Sequence, residues 1–296
     1  MATLDTILSP VRSELLDTEA ELKRQLREAS CTEGPRGESF EIADSTIEHF
    51  FRTPGKRLRP ALVLLAARAV RDVEAPSYQP LVKMATAVEL IHSASLIHDD
   101  IIDRSATRRA RASVNELFGN QIAVLAGDIL YAQFFKLLIN LETDDAGTHK
   151  RVLNLFCETT KRMCMGEMRE GSLSDFAGDE QFQSYLLSVE DKTASLFSSA
   201  CAAGAMLNRG GDEECRALGE YGRLLGITFQ LADDVADGDS VVRSPDLLSG
   251  SATRHCERSK ERLSDLSASS ARSSLLALAD YVMEPIGIAD DPDRQR

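Results

Sequence analysis

Two aspartate clusters carry the most pointed chemistry in the sequence. The first reads His98-Asp99-Asp100-Ile101-Ile102-Asp103; the second reads Gln230-Leu231-Ala232-Asp233-Asp234-Val235-Ala236-Asp237. On a helix the outer aspartates of each cluster share a face and lie about 6 Å apart along the axis. Carboxylates so placed repel each other unless a cation lies between them. Magnesium suits the arrangement, because it keeps several waters and takes one or two carboxylates plus substrate phosphates. Each cluster ends an apolar run, residues 88–97 and 224–231, an unusual place for purely solvated charge.

Cationic residues recur near these clusters. Gly55-Lys56-Arg57-Leu58-Arg59-Pro60 stands at a predicted helix start, with Lys56 and Arg59 on one face. A helix start bearing Lys and Arg suits a diphosphate. Arg104, Arg108, Arg109 and Arg111 follow the first cluster, and guanidinium forks match phosphate oxygens. Lys192-Thr193 interrupts an apolar helix, and His92 lies two turns before Asp99. Taken singly, each has an ordinary explanation as solvated charge, a snorkelling lysine or a core histidine. Taken together they imply two diphosphates.

No Ser/His/Asp or Cys/His arrangement suggests a nucleophile. None is needed if magnesium grips an allylic diphosphate and stabilises the charge that grows as the C–O bond breaks. A second substrate with a nucleophilic double bond then attacks the allylic cation. Holding the two in contact can supply up to roughly 7–11 kcal/mol. Apolar helix interiors imply a hydrocarbon-sized slot.

The elements that must hold these residues are helical. Apolar residues recur at helical spacing over 4–26, 42–51, 58–70, 81–102, 122–139, 152–168, 185–206, 218–235 and 275–282. Breakers between them, including Pro76, Pro80, Gly171 and Gly238, divide the chain into roughly ten helices. No alternating strand pattern occurs. The expectation is an all-α bundle with a central cavity, one domain over 1–296. Within it, 238–274 is Ser-rich and reads as a mobile loop with one short helix, and 290–296 as a frayed tail.

The chain has 296 residues, 43% hydrophobic, with a formal charge of −13. That balance argues against a nucleic-acid partner and against charge-driven binding to anionic lipid. Six cysteines without metal or Cys-x-x-Cys spacing read as reduced thiols, and the first 19 residues lack a signal pattern. A cytoplasmic protein without a membrane span is expected. The apolar stretch 121–139 reads as a buried helix, because Asp128 and Lys136 interrupt it.

In this order and spacing the motifs resemble the trans-polyprenyl (isoprenyl) diphosphate synthase family. They are Gly-Lys-Arg-Leu-Arg-Pro at 55–60, Ile-His-Ser-Ala-Ser-Leu-Ile-His-Asp-Asp-Ile-Ile-Asp at 91–103, Arg108-Arg109, Gly127-Asp128, Gly166-Glu167, Lys192-Thr193 and the second cluster. The resemblance implies an isoprenoid synthase-type helical fold and a homodimer. It implies head-to-tail condensation of isopentenyl diphosphate with an allylic diphosphate. It assigns Lys56, Arg59, His92 and Arg109 to isopentenyl diphosphate. Arg108, Lys192, Thr193 and Gln230 go to the allylic diphosphate. Asp99, Asp103 and Asp233, supported by Asp100 and Asp237, go to magnesium, three ions per site with diphosphate bound. Asp99, Asp103, Arg108, Lys192 and Asp233 become the catalytic set.

Chain-length determinants in the family lie just before the first cluster. Here Ala94 and Ser95 are small, with Phe134 or Phe135 as a lower floor, so a product of C20 to C40 or longer is expected. The sequence departs from the family pattern at Ala110 (usually Gly), Glu170 (usually Gln) and Gly250-Ser251 (usually Gly-Lys). The lysine-free segment 241–253 leaves a regulatory partner subunit as an alternative. A class I terpene cyclase fits less well, given the second aspartate cluster and the absence of Trp.

Overall fold

The computed structural model describes residues 2–29, 38–53, 55–73, 75–143, 146–238 and 240–284. Among them are thirteen α-helices: α1 Leu4–Ile7, α2 Arg12–Ala29, α3 Glu38–Phe51, α4 Leu58–Val70, α5 Ala75–Ile102, α6 Val114–Phe118, α7 Asn120–Ile139, α8 Ala146–Glu170, α9 Gly178–Val189, α10 Ser195–Leu207, α11 Asp212–Asp237, α12 Pro245–Glu261 and α13 Ser270–Val282. A two-residue antiparallel hairpin, β1 Thr107–Arg108 and β2 Arg111–Ala112, is the one sheet described. The all-α expectation holds.

The chain forms two compact units. One comprises Ser13–Pro60 and Val82–Glu142 and carries the first aspartate cluster. Its core includes Leu22, Ile47, Leu90, Ile91, Leu130 and Phe134. The other comprises Met1–Arg12, Ala61–Leu81 and Thr143–Arg296 and carries the second cluster. Its core includes Phe156, Phe197, Leu218, Tyr221, Leu224 and Leu275.

Four sequence readings change in detail. The run at 4–26 is split by a 3-10 turn at Ser9–Val11 containing Pro10. Pro80, read as a breaker, lies inside α5. Helix α7 is not wholly buried: Leu125 and Ile139 are 57% and 63% exposed, because its apolar residues circle the helix rather than forming one stripe. Within the Ser-rich segment 238–274, Pro245–Glu261 form the 17-residue α12 rather than a short helix in a loop. Leu248, Ala252 and Cys256 recur at helical spacing there, and buried Ser251 and Ser259 are small enough to admit close packing. The tail 290–296 lies outside the described residues, as does Cys31.

Candidate functional site

In the first unit α5 carries His92 and the first aspartate cluster up to Asp100. It places Asp99 two turns after His92 on the same face and, by the bond from Asp103 N to Asp99 O at 2.8 Å, Asp103 one turn further on. Arg59 Nη1 lies 3.0 Å from His92 Nε2. Arginine can only donate, so Nε2 accepts and His92 is neutral. Burial, then the charges of Arg59, Arg109, Arg108 and Arg57, push the His92 pKa well below its ordinary value. Burial also pulls Arg59 down to about 10, against the opposing charges of Glu89 and Asp99.

Glu89, three residues before His92, was not foreseen as part of the site. It is 5% exposed, and Arg57 Nη1 donates to its Oε1 at 2.5 Å. Burial raises its pKa, offset in part by Arg57, Arg59 and Arg109. Arg57 also reaches Glu19 at 3.1 Å, and its backbone sits at φ +54°. Arg57 therefore anchors the turn that presents Lys56 and Arg59. Glu89 stands one helical turn before His92, but only its contact with Arg57 marks it as part of the site.

The hairpin positions the arginine pair. Arg109 and Ala110 form its turn at φ +51° and +60°. Both lie in the left-handed region of a type I′ turn, where Asn-Gly is favoured. Arg109 Nη1 donates to Thr53 O at 2.8 Å, and a Cβ on Gly55 would come 2.8 Å from Arg109 Nη2. Gly55 and Arg109, far apart in sequence, are thus one packing feature. Arg108 donates from Nε and Nη2 to both oxygens of buried Asp100, each at 2.7 Å. Asp100, read as a supporting metal ligand, is here the anchor of Arg108. A cleft beside the hairpin is lined by His49, Phe50, Thr53, Arg108, Arg109 and Arg111.

Gly127 and Asp128 also find a reason. His98 Nε2 lies 3.1 Å from Val124 O and 3.7 Å from Asp128 Oδ1. A Cβ on Gly127 would come 2.1 Å from that same nitrogen. Of the chain-length candidates, Ala94 and Phe134 are fully buried, while Ser95 and Phe135 are half-buried. Ser95 Oγ turns back to donate to His92 O at 2.9 Å, and the Phe134 and Phe135 rings are 4.9 Å apart.

In the second unit Lys192 and Thr193 lie in a π turn, Glu190–Ala194. Such turns interrupt α-helices, frequently at functional sites. Asp191 is clamped by Arg162 at 2.8 Å and Arg169 at 2.7 Å; burial raises its pKa, but these hydrogen bonds outweigh burial and lower it. Gly166 allows α8 to approach this turn, because a Cβ there would meet Lys192 N at 2.3 Å. Lys192 Nζ contacts Glu167 Oε2 at 2.6 Å and Glu170 Oε2 at 2.5 Å. Thr193 Oγ1 donates to Gln230 Oε1 at 3.1 Å, and Gln230 Nε2 donates to Asp234 Oδ1 at 2.8 Å. Asp233 and Asp237 are exposed near the end of α11.

Among the described residues no three Asp, Glu, His or Cys side chains converge as a ready-made metal cage. The donor sets are instead pairs of carboxylates four residues apart. Asp103 and Asp237 make no ion pair with any described residue. Such pairs fit magnesium, whose shell is completed by water and substrate phosphate.

The polyprenyl synthetase family model matches residues 40–242. The chain belongs to that family. As a polyprenyl synthetase it is 35% identical over 260 residues to a prenyl transferase of Synechocystis, covering 86% of this chain and 75% of that protein. It is also 35% identical over 240 residues to a chloroplastic solanesyl-diphosphate synthase of Oryza sativa, covering 79% of this chain but 55% of that protein. The chain thus spans between about half and three quarters of the length of these relatives. A polyprenyl synthase from Caulobacter crescentus, solved with calcium and isoprenyl diphosphate, shares the fold. Its TM-score is 0.77 at 24% identity, covering 95% of this chain and 97% of that one.

Proposed function

We propose that this prenyltransferase condenses isopentenyl diphosphate head-to-tail with an allylic diphosphate, giving a trans-polyprenyl diphosphate of C20 to C40 or longer. The observation that carries the reading is the order of groups along α5: Arg59-bound His92, then Asp99 and Asp103. His92 and Asp103 are about 16 Å apart along the axis, enough to separate a cationic diphosphate site from a carboxylate one.

Lys56, Arg59 and Arg109 bind the diphosphate of isopentenyl diphosphate, and neutral His92 orients Arg59. Glu89 lets these like charges converge. Lys192, Thr193 and Gln230 hold the allylic diphosphate. Asp99 with Asp103, and Asp233 with Asp237, would hold Mg²⁺, which when bound supplies the positive charge that stabilises the departing diphosphate. Ala94 is small and buried, and the Ser95 hydroxyl is tied back to His92 O of its own helix, so neither adds bulk beside α5, which favours a long product. The exposed apolar residues of α7, Leu125 and Ile139, suit a second copy of the chain, and the free thiols Cys157, Cys164, Cys201, Cys215 and Cys256 suit the cytoplasm.

The test uses the purified protein alone with Mg²⁺, isopentenyl diphosphate and C5 to C20 allylic primers, with products separated by reversed-phase chromatography. Products beyond C15 are expected; C15 alone would sink the length assignment. Asp99→Ala should lose far more than tenfold in turnover. A loss within tenfold, ~1.4 kcal/mol, would show that the metal assignment is wrong. A second reading, a partner subunit that regulates another synthase, is favoured by one feature: Gly250 and Ser251 lie within α12, where the family has a lysine. Turnover that requires an added partner would support it.

A further inference from the structure

Asp234, the middle residue of the second cluster, differs from its neighbours. Asp233 and Asp237 are exposed, whereas Asp234 is half-buried and both of its oxygens accept hydrogen bonds. Tyr185 Oη donates to Oδ2 at 2.5 Å, and Gln230 Nε2 donates to Oδ1 at 2.8 Å. We propose that Tyr185 and Asp234 act as a positioning pair that presets Gln230 and Thr193 for the allylic diphosphate, and that Asp234 is not a metal ligand.

The direction of every bond in this chain is fixed by chemistry. Asp234 is acceptor-only when ionised, so Gln230 must turn its amide nitrogen toward it. The Gln230 carbonyl then faces Thr193, whose hydroxyl donates to it at 3.1 Å. Tyr185, Gln230 and Thr193 each commit a proton inward. The second amide hydrogen of Gln230 remains for a diphosphate oxygen. Tyr185 is 5% exposed on α9 and packs against Phe182 at 6.4 Å between ring centres. Burial and the adjacent Asp234 charge hold its pKa far above the ordinary phenol value, so it stays a donor at any working pH. The π turn matters too, because it carries Thr193 to Gln230 while Tyr185, eight residues earlier, meets Asp234 one helical turn further on.

The proposal rests on the prenyl-transfer reading. Its test is steady-state kinetics on the full chain, varying allylic diphosphate, isopentenyl diphosphate and Mg²⁺ separately. Wild type, Tyr185→Phe, Asp234→Asn and the double variant are compared, with thermal melting to confirm folding. Hydrogen bonds to charged groups are strong enough that losing one should raise the allylic KM about tenfold or more. The KM for isopentenyl diphosphate and the Mg²⁺ half-saturation should stay within about twofold. The double variant should match the worse single variant, because both cut one chain. Additive losses, or an unchanged allylic KM, would overturn the pairing. A shifted Mg²⁺ requirement in Asp234→Asn would make Asp234 a ligand after all. If Asp234→Asn does not fold, Tyr185→Phe decides alone, since it keeps the ring. If wild type shows no turnover, the prenyl-transfer reading fails separately. Calorimetric binding of inorganic diphosphate with Mg²⁺ then tests the chain: about tenfold weaker binding by Tyr185→Phe supports it, and equal binding refutes it.

Discussion

Replacing Ala110 with glycine should stabilise the protein, and the size of the gain follows from the hairpin. Ala110 sits at φ +60° beside Arg109 at +51°. A left-handed residue with a Cβ costs about 1–2 kcal/mol. Glycine removes that cost but adds about 0.5–1 kcal/mol of chain entropy to the unfolded state. The side chain is exposed, so losing its methyl sacrifices little packing. The net expectation is a gain of about 0.5–1 kcal/mol. For a chain of this size that is a rise in melting temperature of about 1–3 °C. Calorimetry on both proteins at one scan rate measures it. Hydrogen exchange at the amides of residues 107–112 should slow as well, since the strain is local. A lower melting temperature, or faster exchange in the hairpin, would refute the claim that the backbone here is strained. It would mean instead that the Arg108–Asp100 and Arg109–Thr53 bonds make this turn favourable for alanine.

Three further outcomes are expected. Glu170→Gln should lower the KM for the allylic diphosphate roughly two- to fivefold, the scale of a partly exposed ion pair, by leaving Lys192 one carboxylate fewer to exchange; an unchanged or higher KM would contradict this. His92 is neutral when folded, whereas the unfolded chain takes up a proton near the ordinary value of 6.5. Stability from this group is therefore constant above about pH 7 and falls below 6.5 by about 1.4 kcal/mol per pH unit. Urea titrations of wild type and His92→Asn from pH 7.5 to 5.5 should diverge accordingly, and parallel curves would count against a neutral His92. Gly127→Ala would bring a Cβ 2.1 Å from His98 Nε2 and should cost about 1–3 kcal/mol in a thermal melt; an unaltered melt would mean that α5 and α7 yield there easily.

Much of the helical framework was legible because helical periodicity is local. The limits of α4 and the course of α5, α7 and α11 follow from apolar spacing alone. The residues of the aspartate clusters, the Gly-Lys-Arg-Leu-Arg-Pro turn and Lys192-Thr193 were legible because their types and intervals have few ordinary uses together. Helix α12 was read too weakly, since small buried serines pack as well as large residues where helices approach closely.

Other features depend on contacts between distant segments, which no local pattern encodes. Glu89 looks like any helical glutamate until Arg57 and Arg59 are brought to it. The hairpin had no Asn-Gly signal, because Arg108 on Asp100 and Arg109 on Thr53 hold a turn that alanine would otherwise disfavour. The π turn leaves no periodic mark. By itself the sequence determined which groups exist and on which helical faces they stand. Only the tertiary structure decided which carboxylates are turned to arginine and tyrosine, as Asp100 and Asp234 are. That choice depends on burial and partner geometry, not on spacing.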